Sequence, residues 1–429
     1  MTEAPVVRVG ILGCGTVGAA LVQLLVEKPE VMTERTGLRL EVARVAVRDL
    51  GRERGVAIPD GALTDDFHGV VVDPGVDVIV ELIGGMEPAR TLILEALAAG
   101  KPVITANKDL VAVAGVELFE GAVTAGVDLL FEASVGGGIP LIRPLRESLA
   151  GEQIRRIMGI VNGTTNYVLT RMTEAGASYA DALGEAQALG FAEADPTSDV
   201  EGFDAANKAA ILASIAFGVK VVTADVYREG ITCVTAADIA FATRLGYVIK
   251  LLAIAERVGD EVAVRVHPAM IPTTHPLASV RESFNAVFIE GEAVGDLMLY
   301  GRGAGGAPSA SAVLGDLIDA AHNLRAGGVG RAATLGRAQI RAIDELTSQY
   351  YLSIDVEDRP GVLAAVAGAF GDHGVSIRSM EQDPLTSEAR LIFITHMARE
   401  SDIQATLAVL RDLDVVDRIG SLLRVVGAG

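Results

Sequence analysis

The chain has 429 residues, half of them apolar, and a formal net charge of −20. This length exceeds what a single hydrophobic core supports and predicts two or three domains. The acidic balance argues against nucleic acid or an anionic membrane as a partner and favours a soluble protein that acts on small molecules.

The sequence carries no pattern typical of export, membrane insertion or a disulfide scaffold. Its longest apolar runs are shorter than the roughly 18–20 residues that cross a bilayer. The N-terminus leads straight into a strand pattern instead of a signal peptide. Cys14 and Cys233 are too few for a disulfide framework. We therefore expect a cytoplasmic protein.

Residues 1–135 alternate short apolar strands with amphipathic helices, beginning with VVRVGILG and VGAALVQLLVEK and ending with a strand at VDLLFEAS. Strand–helix–strand alternation at this spacing predicts βαβ units and a doubly wound parallel sheet of the Rossmann type. The fold class is thus α/β for this domain, which we expect to bind NAD(P).

The first predicted strand is followed by GCGTVG, residues 13–18, which fits the dinucleotide fingerprint GxGxxG in the context that it requires. Gly13 permits the tight turn, Gly15 lets the main chain approach a pyrophosphate, and Gly18 lets the helix pack close to the strand. Thr16 and Val17 complete the predicted cofactor loop. The alternative is a tight turn without a ligand.

Two later segments refine the cofactor prediction. Arg48 and Asp49 follow the second strand, where NAD enzymes usually carry an acidic residue for the ribose. Arg48 can pair with the 2′-phosphate of NADP, which favours NADP as the cofactor. Asp49 beside it leaves NAD possible. The alternative for Arg48 is an arginine that faces solvent and binds no cofactor. Thr105 and Lys108 end a further strand at the sheet edge where ligands bind, although an ordinary strand-end lysine fits as well.

Residues 136–310 mix helical and strand patterns and predict an α+β domain. We expect helices at ALGEAQALG, FDAANKAAILASIAFG and AADIAFATRLGYVIKLLAIAERVG. The glycine-rich GRGAGGAPSASAV leads into another helix, AGGVGRA is a predicted linker, and residues 311–340 are expected to pack back onto the first domain. Residues 349–429 predict the ferredoxin-like order βαββαβ.

Residues 193–208, EADPTSDVEGFDAANK, contain five carboxylates and end at Lys208. A solvated acidic loop is one interpretation, and a site that binds and protonates a small molecule is another. Asp204 and Lys208 lie four residues apart on a predicted helix that is apolar beyond them, so both face the region next to its buried side. A lysine among carboxylates keeps its proton, which suits a proton donor. None of the six histidines lies in a recognisable catalytic constellation.

Seven motifs, in this order along the chain, resemble those of homoserine dehydrogenases: GILGCGTVG, ELIGG, VITANKDLVA, FEASVGGGIP, GIVNGTTNYVL, GFAEADPTSDVEGFDAANK and GAGGAPSASAV. The C-terminal segments EDRPGVLAAVAGAF and HGVSIRSM resemble an ACT domain, a small amino-acid-sensing module.

The resemblance implies reversible, NAD(P)H-dependent reduction of L-aspartate 4-semialdehyde to L-homoserine, on the route to threonine, isoleucine and methionine. It implies that Lys208 donates the proton, that Asp204 binds substrate beside it, and that Lys108 lies near the nicotinamide. Its further substrate-binding positions are Thr164, Glu193 and Asp199, and its further cofactor-binding positions are Gly190, Gly303 and Gly305. Asp195 and Glu201 are expected only to shape the turn and the helix cap.

The resemblance also implies a monovalent cation, sodium, since converging main-chain carbonyls suit a hard cation. The positions are Glu132, Val135, Gly137 and Ile139. One departure from the family pattern is Arg302, where proline is common, in the loop expected to close over the nicotinamide.

Regulation and assembly follow from the same resemblance: an amino-acid effector, threonine, and a homodimer or homotetramer that uses residues 136–310 for dimerisation. Two alternatives stay open. A 2-hydroxyacid dehydrogenase with an ACT domain, of the phosphoglycerate dehydrogenase type, would place its fingerprint mid-chain and use a catalytic histidine. A non-catalytic sensor of NADP and amino acids would keep the fold and lack turnover.

Overall fold

The computed structural model describes residues 4–27, 29–330, 335–337, 339–384 and 388–427. Contacts group the chain into two compact units. The first comprises residues 1–157, 207–225 and 285–338, and the second comprises residues 158–206, 226–284 and 339–429. None of the helices in the described ranges combines the length and hydropathy that a membrane span requires.

A six-stranded parallel sheet organises the N-terminal part of the first unit. Its strands are β1 (Val6–Leu12), β2 (Arg39–Ala46), β3 (Leu63–Thr64), β4 (Val78–Glu81), β5 (Val103–Thr105) and β6 (Leu129–Leu130). They are ordered β3-β2-β1-β4-β5-β6, which places a topological switch point between β1 and β4. The predicted Rossmann-type α/β fold is confirmed.

Helices alternate with these strands as the sequence pattern predicts. They are α1 (Thr16–Glu27), α2 (Pro29–Thr36), α3 (Phe67–Val72), α4 (Ala89–Ala98) and α5 (Lys108–Ala125). Strand β6 is shorter than the predicted VDLLFEAS, because a 3₁₀ turn at Glu132–Ser134 follows it. There the main-chain N–H of Glu132 donates to Asp316 and no longer extends the sheet.

The middle of the chain supplies α6 to α12 and β7 to β15. The helices are α6 (Ile142–Arg146), α7 (Gly163–Ala175), α8 (Tyr179–Ala188), α9 (Thr197–Val200), α10 (Phe203–Phe217), α11 (Ala236–Arg244) and α12 (Gly306–Ala326). The strands are β7 (Ile154–Ile160), β8 (Val219–Lys220), β9 (Tyr227–Arg228), β10 (Tyr247–Val258), β11 (Glu261–Pro272), β12 (Phe284–Gly291), β13 (Asp296–Arg302), β14 (Gly336–Arg337) and β15 (Gln339–Ile340). Further 3₁₀ turns lie at Thr223–Asp225 and Pro276–Ser279.

Helix α12 belongs to the hydrophobic core of the N-terminal sheet. Its residues Val313 and Leu317 share one buried cluster with Leu21 and Leu25 of α1. Each fully buried side chain of this size contributes roughly 1.5–3 kcal/mol, so the packing holds the start of α12 close to the dinucleotide loop. Residues 331–334 and 338, which fall in the predicted linker and in the 311–340 segment, lie outside the described residues.

One predicted helix is wrong in its second half. The segment AADIAFATRLGYVIKLLAIAERVG forms α11 and then the strand β10. Gly246 lies between them with a φ of +79°, a conformation that ends a helix. Residues 249–255 are all buried, and β10 pairs with β11 along its whole length. A continuous apolar run of this kind is that of a strand covered on both faces, which periodicity alone does not distinguish from a helix.

The C-terminal segment of the second unit forms a four-stranded antiparallel sheet with two helices. Its elements are a 3₁₀ turn (Ile343–Glu345), β16 (Thr347–Glu357), α13 (Val362–Asp372), β17 (Ile377–Pro384), β18 (Glu388–Thr395), the short β19 (Ala398–Arg399), α14 (Glu400–Arg411) and β20 (Val416–Val425). The strand order β20-β16-β18-β17 together with the element order confirms the predicted ferredoxin-like βαββαβ arrangement.

Strand β20 also pairs with β11, in parallel, at Ala269–Arg424 and Met270–Val425. The Arg424 side chain is buried and forms ion pairs with Glu229 (2.9 Å) and Glu400 (2.8 Å). Against the opposing effect of burial, these two carboxylates raise the pKa of Arg424, so the guanidinium stays charged. Within the second unit, the last strand therefore belongs to two sheet regions at once.

Candidate functional site

Glycines shape the loop between β1 and α1. Gly13 has a φ of +98°, and a Cβ atom there would lie 2.7 Å from the carbonyl oxygen of Leu82. A Cβ on Gly18 would lie 2.4 Å from the carbonyl oxygen of Gly13, so the helix approaches the strand more closely than a side chain permits. A Cβ on Gly15 would meet no protein atom within 4 Å. That open space is where the main chain can approach a phosphate.

The first residues of α1, Thr16 and Val17, lie beside the start of a second helix. A Cβ on Gly306, the first residue of α12, would lie 3.0 Å from Cγ2 of Thr16. The N–H groups of a helix's first turn lack partners within the helix, and the helix dipole favours negative charge at that end. Two adjacent helix N-termini therefore favour an anion such as a pyrophosphate.

A buried carboxylate, Glu81, organises the switch point and was not predicted from the sequence. It accepts hydrogen bonds from the main chain of Ile83 (2.7 Å) and Gly84 (3.1 Å) and from the hydroxyl of Thr105 (2.6 Å). The Thr105 oxygen accepts in turn from the Asn107 main chain. Thr105 is fully buried, so its side chain positions the loop that follows β5.

The end of β2 presents two arginines. Arg48 is exposed, two residues beyond the strand. Arg54 folds back onto the same segment and donates hydrogen bonds to the carbonyls of Asp49 and Arg52. Burial raises the pKa of the Cys14 thiol in the fingerprint loop, and the positive charge of Arg54 partly opposes that shift. Sequence analysis identified Arg48 and missed Arg54.

Within the first unit, the start of α5 is tied to α10. The side-chain amide of Asn207 donates to Asp109 (2.8 Å) and its oxygen accepts from Thr223 (2.7 Å). Lys108 precedes Asp109 and Lys208 follows Asn207, and both lysines are half-buried. Each of the two lysines predicted to act in the active site is therefore next in sequence to one partner of the Asn207–Asp109 hydrogen bond.

The loop that follows β13 lies against the glycine-rich turn after β6. The Arg302 carbonyl accepts a hydrogen bond from the Gly138 main chain (3.1 Å), and a Cβ on Gly137 would lie 2.5 Å from the Gly303 carbonyl oxygen. A Cβ on Gly303 would lie 2.0 Å from the amide nitrogen of Asn285. Glycine is thus required on both sides of this contact. The next glycine, at residue 305, has a φ of +132°.

Glu132 is buried at the start of the same turn. Its carboxylate accepts three main-chain hydrogen bonds, from Leu141 (2.5 Å), Ile142 (2.9 Å) and Arg143 (2.7 Å). It therefore caps the N-terminus of α6. Its own main-chain N–H donates to Asp316 (2.7 Å). Burial raises the pKa of Asp316 to about 7, and the hydrogen bond from Glu132 opposes that shift.

The other predicted cation-binding positions of this turn offer main-chain oxygens. Val135, Gly137 and Ile139 are buried, and no hydrogen bond from a described residue reaches their carbonyl oxygens. The described ranges contain no group of three or more His, Cys, Asp or Glu side chains suited to a metal ion. A cation at this turn would therefore depend mainly on carbonyl oxygens, which suit a hard cation.

In the second unit, two of the predicted substrate-binding carboxylates are joined by one amide. The side-chain nitrogen of Asn162 donates to Asp199 (2.7 Å) and to Asp204 (2.8 Å). Asp204 lies in the first turn of α10, the helix that carries Lys208 one turn later. Asn162 lies in the quoted motif NGTTN, yet its role depends on partners 37 and 42 residues away and was not predicted.

The remaining predicted residues of the second unit lie in α7 and in the segment between α8 and α9. Thr164 is buried and its hydroxyl donates to the Phe191 carbonyl (2.6 Å). Gly190 follows α8 with a φ of +77°. Glu193 is exposed, and contacts within the described residues do not join its carboxylate to Asp199 or Asp204. Asp195 accepts from the Thr197 main chain (3.1 Å) in the turn before α9.

Two of the six histidines, His267 and His275, lie in the middle of the chain and each precedes a proline. His267 is fully buried, its Nε2 has no partner among the described residues, and burial lowers its pKa well below the usual range. His275 caps the 3₁₀ turn at Pro276–Ser279 by accepting from Leu277. Both histidines have structural roles.

Family models match most of the chain. The homoserine dehydrogenase NAD-binding domain matches residues 13–132, the homoserine dehydrogenase model matches residues 140–318, and the ACT domain model matches residues 350–415.

Relatives extend these matches to full length. The homoserine dehydrogenase of Corynebacterium glutamicum is 50% identical over 97% of this chain and 95% of its own length. The crystal structure of a homoserine dehydrogenase from Thiobacillus denitrificans is 42% identical, covers 99% of both chains and has a TM-score of 0.94. A hyperthermophilic archaeal homoserine dehydrogenase, solved in complex with NADPH, is 30% identical, covers 74% of this chain and 98% of its own, and has a TM-score of 0.63. The chain therefore belongs to the homoserine dehydrogenase family, oxidoreductases that act on a CH–OH group, and carries a C-terminal ACT domain.

Proposed function

We propose that Lys208 is the proton donor when this protein reduces L-aspartate 4-semialdehyde to L-homoserine, with Asp204 as its neighbour and Lys108 near the nicotinamide. The observation that carries this proposal is the hydrogen bond between Asn207 and Asp109. It joins the segments that carry Lys108 and Lys208, so the two lysines lie on neighbouring segments of the first unit.

The chemistry of the reaction suits these residues. NADPH, when bound, supplies the hydride that adds to the aldehyde carbon. Negative charge then develops on the aldehyde oxygen, and the ammonium of Lys208 both stabilises this charge and donates its proton to the oxygen. In the reverse direction, the neutral amine of Lys208 accepts the proton of the homoserine hydroxyl.

Carboxylates and one hydroxyl make up the substrate-binding set that we propose: Glu193, Asp199, Asp204 and Thr164. Opposite charge in a site shielded from water recognises the α-ammonium of the substrate. Glu193 lies on an exposed segment that Thr164 holds through its bond to Phe191, and it completes the set only if that segment approaches the bound substrate.

Initial rates of homoserine-dependent reduction of NADP and of NAD, measured with and without threonine, test this function directly. Turnover with homoserine supports the dehydrogenase. Binding of NADP without any homoserine-dependent reduction would favour the non-catalytic sensor, and turnover with a 2-hydroxyacid in place of homoserine would favour the other alternative.

The cofactor that we propose is NADP, with NAD as a weaker alternative. Two guanidinium groups support it, Arg48 beyond β2 and Arg54, which folds back onto the Asp49 carbonyl, since guanidinium groups recognise phosphate in a bidentate manner. The archaeal relative solved with NADPH is consistent with this choice. Gly13, Gly15, Thr16, Val17 and Gly18 would hold the pyrophosphate. Lys108, Gly303 and Gly305 are proposed to lie near the nicotinamide. Thr105 and Gly190 are further cofactor-binding positions that we propose.

Arg48→Ala is expected to raise the KM for NADP by about tenfold or more, because a charge-assisted hydrogen bond contributes roughly 1.5–3 kcal/mol. The KM for NAD, which lacks the 2′-phosphate, is expected to stay within about twofold of the original value. The matched control is Arg52→Ala, an exposed arginine of the same loop. Equal effects on the two cofactors would contradict recognition of the 2′-phosphate by Arg48.

A monovalent cation, sodium, is the further ligand that we propose. The carbonyl oxygens of Val135, Gly137 and Ile139, which accept no hydrogen bond from the described residues, would bind it together with Glu132. The Glu132 carboxylate already accepts three main-chain hydrogen bonds. A bound ion would add further contacts to this turn and so order it, and the Gly303 loop packs against the same turn.

The ACT domain supports regulation by an amino acid, and we propose threonine. The turn at Asp358–Gly361 precedes α13, and Gly361 caps that helix with a φ of +94°. A helix N-terminus beside this exposed turn favours the carboxylate of a small effector. We also propose a homodimer or homotetramer in the cytoplasm, which sedimentation of the purified protein and fractionation of cells would test.

Threonine at millimolar concentration is expected to lower the rate of homoserine oxidation and to raise the thermal midpoint, since a ligand that binds only the native state stabilises it. D-threonine is the matched control ligand. If neither enantiomer changes the rate or the midpoint, the C-terminal domain responds to another molecule or serves only as structure.

A further inference from the structure

Asn162 occupies the junction between β7 and α7 and is only 4% exposed. It is the N-cap of α7: its Oδ1 accepts hydrogen bonds from the main chain of Thr165 (2.8 Å) and from the Thr165 hydroxyl (2.9 Å). Asparagine at this position satisfies one of the orphan N–H groups of the helix. One half of the amide is therefore explained by helix capping.

The other half of the amide has a different use. Nδ2 donates to Oδ1 of Asp199 (2.7 Å) and to Oδ2 of Asp204 (2.8 Å). Both hydrogens of the NH₂ group are thus directed at carboxylates, and the amide has no further hydrogen to donate. The orientation is unambiguous, because the flipped amide would place its oxygen between two carboxylates and its NH₂ group against the Thr165 N–H.

The two carboxylates come from different elements. Asp199 lies in α9 and Asp204 in the first turn of α10, and Gly202 separates the two helices with a φ of +78°. Since both oxygens lie within hydrogen-bond distance of one nitrogen, they are roughly 5 Å apart. Like charges at this distance repel each other, and the NH₂ group of Asn162 offsets part of that repulsion by donating one hydrogen bond to each carboxylate.

We infer that Asn162 is a positioning residue for the dehydrogenase reaction: its NH₂ group holds Asp199 and Asp204 in the orientation that binds substrate. This inference rests on the proposed substrate-binding role of those two carboxylates. Asn162 acts through them and not on the reacting atoms. Helix capping alone would require only Oδ1, and serine or aspartate would provide that equally well.

The inference is tested with Asn162→Ser, which keeps an N-cap oxygen for Thr165 and removes both N–H donors of the amide without adding charge. The KM for homoserine is expected to rise by about tenfold or more, while the KM for NADP stays within about twofold. Asn162→Asp keeps both acceptor bonds and places a third carboxylate in the cluster, so we expect a larger rise in the same constant. Ser178→Ala removes the N-cap of α8, whose side chain accepts from Asp181, and is the control for loss of a cap.

Two further results separate the possible failures. An unchanged KM for homoserine in Asn162→Ser, or equal rises in the KM for homoserine and NADP with a lowered thermal midpoint, would overturn the positioning role. Asp199→Asn and Asp204→Asn test the carboxylates directly. If these two variants lose substrate affinity and Asn162→Ser does not, only the inference about Asn162 fails. If they keep it, the proposed substrate-binding role fails as well.

Discussion

Lys208→Ala is expected to lower kcat for homoserine oxidation by about 10²–10⁴-fold, the usual contribution of a positioned general acid or base. Alanine removes both the proton carrier and the positive charge that stabilises the developing oxyanion. Lys208 lies outside the dinucleotide loop, so the Kd for NADP is expected to stay within about twofold. Stopped-flow hydride transfer and fluorescence titration of NADPH measure the two quantities separately.

The chain offers a matched control for this variant. Lys220 lies in β8, is about one-third exposed and forms an ion pair with Glu120 (2.8 Å). Such surface pairs contribute about 0–1 kcal/mol, so Lys220→Ala should leave kcat unchanged. A Lys208→Ala enzyme with unaltered kcat would remove this lysine from the mechanism and direct attention to Lys108.

Gly15→Ala is expected to weaken NADP binding by about tenfold or more while the protein remains as stable as the original. The main chain at Gly15 is outside the left-handed region, and its added Cβ meets no protein atom within 4 Å. Replacing glycine at such a site tends to stabilise the fold by about 0.4–1 kcal/mol. The methyl group instead occupies space that the pyrophosphate needs. Isothermal titration is therefore expected to show weaker NADP binding, and a thermal melt is expected to show no loss of stability.

Gly13→Ala is the contrasting variant. Its Cβ would lie 2.7 Å from the Leu82 carbonyl oxygen in a residue with a φ of +98°. Strain of this kind costs about 1–3 kcal/mol, so we expect the thermal midpoint to fall along with the affinity. If the Gly15→Ala variant binds NADP with unchanged affinity, the pyrophosphate does not pass over Gly15.

Local patterns in the sequence predict most of the fold. Alternation of strands and helices predicts the doubly wound parallel sheet, and the C-terminal pattern predicts the ferredoxin-like order, because short loops leave few topologies. The strand order β3-β2-β1-β4-β5-β6 was learned from the structure. The error at β10 has a physical cause. Its apolar residues from Ile249 to Ala255 are buried on both faces, which removes the alternation that marks a strand, and only Gly246 signals the end of α11.

The sequence proposes candidate site residues mainly among charged residues and glycines, although it missed Glu81 and Arg54, and it gave no reason to select neutral amides. Asp199, Asp204 and Lys208 stand out in a sequence, whereas Asn162 and Asn207 read as ordinary helix-cap or helix residues. Their importance comes from partners far along the chain, 98 residues away for Asn207 and Asp109. Such contacts depend on tertiary packing, which one sequence does not display.

The pairing of β20 with β11 has a consequence for any shortened version of this chain. Ala269 and Met270 of β11 are fully buried, and the main chain of Val426 still donates to the Met270 carbonyl (2.9 Å). Deleting the ACT domain would remove β20 from its pairing with β11, expose apolar side chains at that edge of β11 and remove the ion-pair partner of Glu229, Arg424. Open edges of this kind promote aggregation. If threonine inhibits the enzyme as proposed, loss of that inhibition is therefore better sought by point substitutions in the turn at Asp358–Gly361 than by truncation.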